Sequence, residues 1–585
     1  LLCFIDASFF VFATKRTDLL KIIILMEKEK EDIRELFDFS QNKKQGIIEN
    51  ILGNKLLYDS ADVSDDVYKD TCIDTWSSKL PSLDGGKFLM KKLVRNPIKD
   101  ITVLKQRQNI YGKFKFDFSI LKEYEDDALW VYKLNEEVKN NNLINVLFPS
   151  MFLVSNINKI SPLLDLYHIA KVYLIPINVV IYPFLSLLGP LYYFNKYLKF
   201  NISLSAYIKM LWKFVRFIFS YSGNIKTTFI KIFTVVSYIL LFIYNAYQTI
   251  EYSYMLYKIR DVLFTKISNL NIFLRESSEI IKSIPPNFID SFVKMKYSPE
   301  DIIVLPDNFT SIYKIWKDPD LKDKISKILT IIYTLDVINC CGVLKNSKQW
   351  CLTNYSDTTK IWQMKNPVLK DTQVANPLDM SKNIIVTGPN AAGKTTYVKS
   401  ILSNIILSQS LGLVNALRSN TIVYDSIVSF MRITDIIGSK SYFEVEAEYC
   451  RSMMERAYEL SLKNRNGLFL MDEPMHSTPP TEGMATAYAV VEYIGSLSNS
   501  SIILTTHFHK LTMLETLYPS KFINLSVVAH PRENGFYFPY KIQRGHSFQC
   551  IAIELLSSKQ FPKKVIESAI KMKNKIYNEI NSKQV

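Results

Sequence analysis

The chain has 585 residues, 48% hydrophobic and 22% charged, with 71 Lys and Arg against 56 Asp and Glu for a net charge of +15. That length and apolar content exclude wholesale disorder and supply material for several domains. The basic excess favours an anionic partner, nucleic acid or a phospholipid surface, without choosing between them, and seven cysteines with no C-x-x-C pair argue against a disulfide framework and a zinc site.

Residues 1–25 carry Asp6, Lys15, Arg16, Asp18 and Lys21 among apolar residues, a poor match to a signal peptide, and Met26 opens a polar run. They read as a doubtful upstream extension. From 26 to 365 the sequence is Gly-poor and rich in Leu, Ile, Lys and Tyr. Only Gly112, Gly189 and Gly223 fall between Gly86 and Gly342, whereas nine glycines lie from Gly388 to Gly545. Few turn signals and long apolar periodicity predict a helical core or lever region over 26–165, an apolar insertion over 166–250 and a helical return over 251–365. Pro285-Pro286 and the segment Pro299 to Pro306 mark a loop before a helical stretch from Ser311 to Leu335. Asn366-Pro367 marks entry to an α/β part, where NIIVTGPN, GLFLMDEP and SIILTTHF read as buried parallel strands feeding loops. The expected fold class is therefore a multidomain chain, helical first and α/β second.

Inside the insertion, Val172 to Phe194 is 23 residues without charge and Ile232 to Ile250 is 19, each near the ~20 needed to cross a hydrocarbon core. Between them Lys209, Lys213 and Arg216 fall at i, i+4 and i+7, one basic stripe on an otherwise apolar helix. Two readings stand, membrane association of these segments or buried lever helices. A basic loop from Asn195 to Lys231 disfavours two full crossings by the positive-inside tendency and fits better a hairpin that returns, or shallow insertion.

The clearest chemistry begins at Gly388, Pro389, Asn390, Ala391, Ala392, Gly393, Lys394 and Thr395, a G-x-x-x-x-G-K-[ST] phosphate loop followed by Thr396. It follows a predicted strand (Ile384 to Thr387) and opens a predicted helix (Thr395 to Leu413), the context the motif requires. Backbone N–H groups and the helix N-terminus would wrap the phosphates of a nucleotide, Lys394 would reach the β- and γ-phosphates, and the Thr395 hydroxyl would ligate Mg²⁺. The strand Leu468 to Met471 ends in Asp472-Glu473, one carboxylate to hold Mg²⁺ and one to polarise a water. A third strand, Ser501 to Thr505, runs into Thr506-His507, whose imidazole is placed to sense the γ-phosphate.

With these residues the sequence resembles the MutS family of DNA mismatch repair, whose ATPase is of the ABC class. VANPLDMSKNIIVTGPNAAGKTTYVKS is similar to the family's phosphate-loop region. Arg432 to Glu448 resembles its signature loop at Ser441, Phe443 and Glu446. LMDEPMHSTPPTEG is similar to the Walker B and D-loop run, with Glu482 where Asp is usual, and TTHFHKL to the switch-histidine segment. The resemblance implies a P-loop ATPase domain over 366–540, a helical dimerisation region over 541–585, a homodimer or paralogue heterodimer in which Ser441 reaches the opposite subunit's nucleotide, and DNA as partner. More weakly, Leu83 to Tyr111, with Gly85, Gly86, Leu89, Leu93, Pro97, Leu104, Arg107 and Gln108, resembles the segment joining lever helices to the ATPase.

There are departures. The core-like segment begins near residue 58 with no F-x-E motif ahead of it, so the mismatch-reading and connector domains are expected to be missing. Gln373 stands where the family offers an aromatic ring to adenine, and Pro474, Pro479 and Pro480 stiffen the D-loop. The expected activity is ATP hydrolysis driving clamp or lever changes on DNA, intracellular, membrane-tethered if the insertion is lipid-bound, and not strongly mismatch-specific. The alternative is a membrane-associated scaffold that dimerises on ATP and hardly hydrolyses it. An ABC exporter is disfavoured because LSGGQ is missing.

Overall fold

The computed structural model describes residues 40–53, 55, 59–137, 147–149, 155–220, 223–295, 297–370, 372–431, 442–532, 535–549 and 551–582, so the expectations for 1–25 and for Ser441 fall outside it. The helices, in chain order, include α1 (Asp84–Arg95), α2 (Ile101–Ile110), α3 (Ser119–Glu137), α4 (Ser161–Ile169), α5 (Ile175–Lys196), α6 (Leu204–Phe219), α7 (Ile225–Lys282), α8 (Phe309–Lys317), α9 (Pro319–Asn346), α10 (Lys394–Ser410), α11 (Tyr442–Leu462), α12 (Pro480–Ser496), α13 (Ala552–Ser558) and α14 (Lys563–Ser582). The strands are β1 (Asp62–Val63), β2 (Cys351–Tyr355), β3 (Lys360–Met364), β4 (Asn376–Asp379), β5 (Asn383–Thr387), β6 (Leu413–Val414), β7 (Arg418–Thr421), β8 (Ser426–Phe430), β9 (Gly467–Asp472), β10 (Ser500–Thr505), β11 (Phe522–Ser526), β12 (His530–Arg532), β13 (Gly535–Tyr537) and β14 (Gln543–Arg544).

Two compact units divide the chain, one from residues 1–47, 123–279 and 300–326, the other from 48–122, 280–299 and 327–585. These cuts differ from the boundaries expected from composition, because residues 48–122 pack with the α/β part rather than with the helices that follow them.

The helical unit owes its core to the far half of α7, where Leu256, Ile259, Leu263, Ile267, Leu270 and Leu274 recur every three or four residues and are buried. Asp127 of α3 accepts from Lys266 and Asn269 of α7, both at 2.5 Å, and His168 of α4 meets Phe309 of α8 edge to face. α4 runs through a π turn (Ala170–Leu174) into α5, just ahead of Pro176, which has no N–H to close the regular ladder. The π turn ahead of α5 touches α7: the Ser253 hydroxyl donates to the Lys171 carbonyl at 3.3 Å and Tyr173 meets Tyr257. Among the described residues, three helical stretches are long and apolar enough to cross a membrane by length and composition. The most apolar window of α9 is 72% buried and is core, whereas those of α4–α5 and of α7 are 6% and 0% buried.

The predicted helix from Ser311 to Leu335 is two helices, α8 and α9. The chain breaks at Asp318, which is extended before Pro319 and whose own carboxylate caps α9 by accepting from the Asp320 N–H at 3.0 Å.

In the α/β unit, among the described residues, seven strands run in the order β1-β8-β9-β10-β5-β11-β14. All neighbours pair parallel except β14. β5 is buried at all five positions and β9 at its first five, as expected of strands covered on both faces. Thr505 pairs with Asp472 on one side and Val386 on the other, so the carboxyl ends of β5, β9 and β10 open on one crevice, where such sheets bind ligands. A smaller five-stranded sheet, β4-β3-β7-β2-β6, lies in the same unit. α10 is buried along most of its length, and its polar side chains are spent on backbone: Gln409 bonds both N–H and C=O of Tyr424, and Asn404 bonds Lys365 and Asn415.

Residues 83–111 dock on the end of α10. The Arg107 guanidinium, fully buried, donates to the carbonyls of Ser291 (2.7 Å) and Ser410 and stacks over Phe292. Gln108 donates to Thr353 and Gly412, and the Tyr111 hydroxyl to Leu411. Gly85 and Gly86 open α1 where a Cβ would stand 2.2 Å from the Tyr333 ring and 2.4 Å from Asp336 Oδ2.

The stretch expected to begin a helical region at 541 does not. β14 pairs antiparallel with β11, the Ser547 N–H donates to Thr387 Oγ1 at 2.8 Å, and helix starts only at Ala552. Residues 541–549 thus belong to the sheet's edge and to the crevice.

Candidate functional site

The phosphate loop leaves β5 at Gly388, whose φ of +148° and missing Cβ are both required, since a Cβ would stand 2.4 Å from the Val527 carbonyl oxygen. Pro389, Asn390, Ala391 (φ +66°) and Ala392 carry the turn to Gly393 (φ +98°), and Lys394 begins α10. Lys394 is 5% exposed. Its ammonium donates to the Gly388 carbonyl at 3.0 Å and lies 3.6 Å from Glu473 Oε1, while burial pulls its pKa down against the pull of both carboxylates. The Thr395 hydroxyl donates to Asp472 Oδ2 at 2.8 Å, and the buried Thr505 hydroxyl donates to the other oxygen. Thr395 and Asp472 are hard oxygen donors side by side at a helix N-terminus, a pair suited to Mg²⁺.

Glu473 turns away from β9 with φ +55°, its N–H held by the Thr505 carbonyl at 3.0 Å. A non-glycine residue in that region is held there by its surroundings. His507 Nε2 is 2.9 Å from Glu473 Oε1, 2.7 Å from Asn390 Oδ1 and 3.1 Å from Lys394 Nζ. Two of those neighbours only accept and the third only donates, so we assign the proton to Nε2, which serves both acceptors and leaves the lysine contact electrostatic. The His507 hydrogen bond, with Lys394 adding and burial opposing, holds the Glu473 carboxyl down to about 2.

Two cavities flank the loop. One, of about 570 Å³, is lined by Gln373, Asn376, Lys394, Thr396, Tyr397 and Tyr540 among others. The other, of about 670 Å³, is lined by Asn390, Thr395, Glu446, Asp472, Glu473, His476 and Ser477 among others. Gln373 turns its amide to the backbone, accepting from the Asn366 N–H and donating to its carbonyl, both at 2.7 Å, and so closes the 366–373 loop. Two rings line the first cavity, Tyr397, whose hydroxyl donates to the Pro377 carbonyl at 2.8 Å, and Tyr540 (φ +52°), stacked on Phe538 and close enough to Gly393 that a Cβ there would stand 3.1 Å away. Asn376 positions Tyr540: its amide donates to the Tyr540 carbonyl and accepts from the Ile542 N–H, each at 2.9 Å.

The structure thus brings together Gly388 to Thr396, Asp472, Glu473 and His507. Sequence reasoning missed Tyr540 and Asn376, which no local motif marks, and His476. It named Glu446 only by resemblance: buried on α11, this carboxylate accepts from the Ser477 N–H at 3.2 Å and from its hydroxyl, tying α11 to the loop after Glu473.

Residues 384–577 match the family described as MutS domain V. The DNA mismatch repair protein MutS of Oceanobacillus iheyensis is 29% identical over 272 residues, 44% of this chain and 30% of that protein. The protein of the same name from Listeria monocytogenes is 27% identical over 46% of this chain and 32% of its own length. The DNA mismatch repair protein Msh2 of Dictyostelium discoideum is 31% identical over 34% of this chain and 21% of its own. The matched part spans about a third or less of each of these relatives.

Proposed function

We propose, from the premise that this chain is a MutS-family protein by the domain in residues 384–577, that it binds ATP with Mg²⁺ and hydrolyses it to ADP and phosphate, driving lever changes in its helical part on DNA. The observation that carries the reading is the convergence of five side chains from three strand ends: Lys394, Thr395, Asp472, Glu473 and His507. Loop N–H groups from Gly388 to Thr396 would receive the phosphates, and Lys394 would exchange its carbonyl for phosphate oxygens. Bound Mg²⁺, held by Thr395 and Asp472, would neutralise charge on the β- and γ-oxygens. Glu473 would take the proton of the attacking water. His507, which joins Glu473 to Asn390 in the loop, would register whether a γ-phosphate is present. Tyr540 would lie against the adenine, the task for which Gln373 is unsuited.

The family supports a homodimer or paralogue heterodimer with DNA, in which Ser441 completes the opposite subunit's site, and the +15 charge suits a polyanion. The exposed apolar helices at 172–194 and 232–250 support tethering to an intracellular membrane. The test is complementation. Ser441→Ala and Lys394→Ala subunits, each inactive alone, should regain turnover when mixed, since one composite site is then intact; mixed dimers without turnover would refute the shared site.

One observation favours a second reading, an ATP-dependent dimerising scaffold with little hydrolysis: His507 Nε2 and Lys394 Nζ lie 2.9 and 3.6 Å from Glu473 Oε1 and hold the carboxyl down, which makes it a weak base while they engage it. ATP-induced dimers with no detectable single-turnover hydrolysis would establish that reading instead.

A further inference from the structure

Resting on the membrane tethering proposed above, we infer its topology: α5 and the near half of α7 form a hairpin that crosses a lipid bilayer, and α6, at its tip, lies among the anionic headgroups of the far face. A surface helix of a soluble protein hides one stripe. Among its described residues α5 buries none, and Tyr182, Phe184 and Leu185 are 58–64% exposed on successive sides of the helix. Phe233, Tyr238 and Leu240 on α7 are 61–62% exposed in the same way. The same α7 buries a regular stripe from Leu256 onward, so the helix changes solvent partway along its length.

Charge and length locate the change. Lys171 and Lys196 bracket 24 uncharged residues, and Lys231 and Glu251 bracket 19. At ~1.5 Å per residue these are roughly 36 and 28 Å, against ~30 Å of hydrocarbon. Ser253 on Lys171 and Tyr173 on Tyr257 put the start of the first limb beside the Glu251 end of the second, at the base. Lys196 and Lys231 bound the other ends of the two runs, which α6 joins. Aromatic rings gather at both levels as they do at membrane interfaces: Tyr173, Tyr254 and Tyr257 at the base, Tyr192, Tyr193 and Tyr197 at the tip, with Lys196 over two of the tip rings. A protein partner would have to sheathe both limbs on every side, whereas a bilayer does so by its nature.

α6 explains the tip. Its Tyr207 hydroxyl donates to the Leu187 carbonyl at 2.7 Å, and Lys231 donates to the Phe217 carbonyl at 2.6 Å, so it is strapped to both limbs. From Asn195 to Lys231 there are seven Lys or Arg and no acid, and Lys209, Lys213 and Arg216 make one stripe beside exposed Trp212 and Phe214. Loops this basic are ordinarily kept on the side of synthesis, which is why sequence alone disfavours two full crossings. The crossing hairpin departs from that expectation and needs a far headgroup layer rich in phosphate charge to hold its tip.

The full-length chain would be reconstituted into preformed sealed vesicles of phosphatidylcholine, with or without phosphatidylglycerol, floated, and treated with external trypsin. The expected result is cleavage throughout the polar parts, with the sites from Lys196 to Lys231 intact until detergent is added. Protection should be at least about tenfold more frequent with phosphatidylglycerol, a preference lost in K209Q/K213Q/R216Q. Floating protein cut at the tip in sealed vesicles would overturn the crossing while leaving tethering intact. Equal protection in both lipids would overturn the headgroup role. Protein that does not float and is monodisperse without detergent would overturn tethering itself, as would self-association that covers the limbs.

Discussion

One imidazole nitrogen joins the end of β9 to the phosphate loop: His507 Nε2 lies 2.9 Å from Glu473 Oε1 and 2.7 Å from Asn390 Oδ1. If His507 registers the γ-phosphate as proposed, a γ-phosphate at the loop would disturb this contact and so couple occupancy of the loop to the state of the carboxylate.

Because His507 and Lys394 hold the Glu473 carboxyl at about 2, it is ionised across the neutral range. The pair's contribution to stability is present above the ordinary carboxyl value, about 4, and is lost as pH falls toward 2. Glu473 should therefore impose no acid limb on the turnover profile above pH ~4. In His507→Ala the carboxyl moves back up toward its ordinary value and an acid limb should appear near pH ~4, read from kcat against pH. An unchanged profile in that variant would separate His507 from the base.

Tyr540, rather than residue 373, presents a ring to the cavity of about 570 Å³. Tyr540→Ala should weaken ATP binding by roughly 5- to 10-fold, the worth of one stacking contact, while leaving binding of inorganic triphosphate unchanged. Tyr540→Phe should bind ATP as the wild type does. Equal losses for both ligands in Tyr540→Ala would mean that the residue shapes the loop instead.

Gly85 sits where any Cβ would stand 2.2 Å from the buried Tyr333 ring. Gly85→Ala should destabilise the α/β unit by about 1–3 kcal/mol in denaturant unfolding. Combining it with Tyr333→Leu should recover part of the loss, as expected of residues in direct contact. Independent, additive effects would contradict the packing.

Asp336 accepts the N–H groups of Ser82 and Leu83 at the start of α1, and burial nonetheless raises its carboxyl to about 6. A carboxyl raised on folding favours the folded state most when it is protonated. Stability should thus fall as pH rises from about 4 to about 6, by roughly 3 kcal/mol at most, and then level off. Asp336→Asn should flatten that slope in unfolding measured across this range.

The parts of the site that were legible in the sequence are those made by consecutive residues. Gly388 to Thr396 and Asp472-Glu473 each follow a short apolar run, and the crevice at the carboxyl ends of β5, β9 and β10 follows from those runs being parallel strands. His507 was legible for the same reason. Tyr540 and Asn376 were not, being 164 residues apart and joined only by tertiary hydrogen bonds, and residues 541–549 resemble a helical tail only until β14 pairs with β11. Composition did not reveal that residues 48–122 pack with the α/β part, where Arg107 and Gln108 reach across more than 180 residues to bind the end of α10 and its neighbours. The break at Asp318-Pro319 was visible as a proline and overridden by the apolar periodicity on either side. The apolar runs were plain in sequence, yet only the structure distinguishes α9, which is buried, from α5 and the near half of α7, which are not.

Glu473 is proposed as the base of an ATP hydrolase whose phosphates sit on Lys394. Single-turnover hydrolysis of bound ATP with Mg²⁺, in wild type and Glu473→Gln side by side, tests it most directly. The expected result is ATP bound with similar affinity in both and a hydrolysis rate lower in Glu473→Gln by about 10²–10⁴-fold, with no ATP bound by Lys394→Ala. Equal rates in wild type and Glu473→Gln, or equal ATP affinity in wild type and Lys394→Ala, would contradict it.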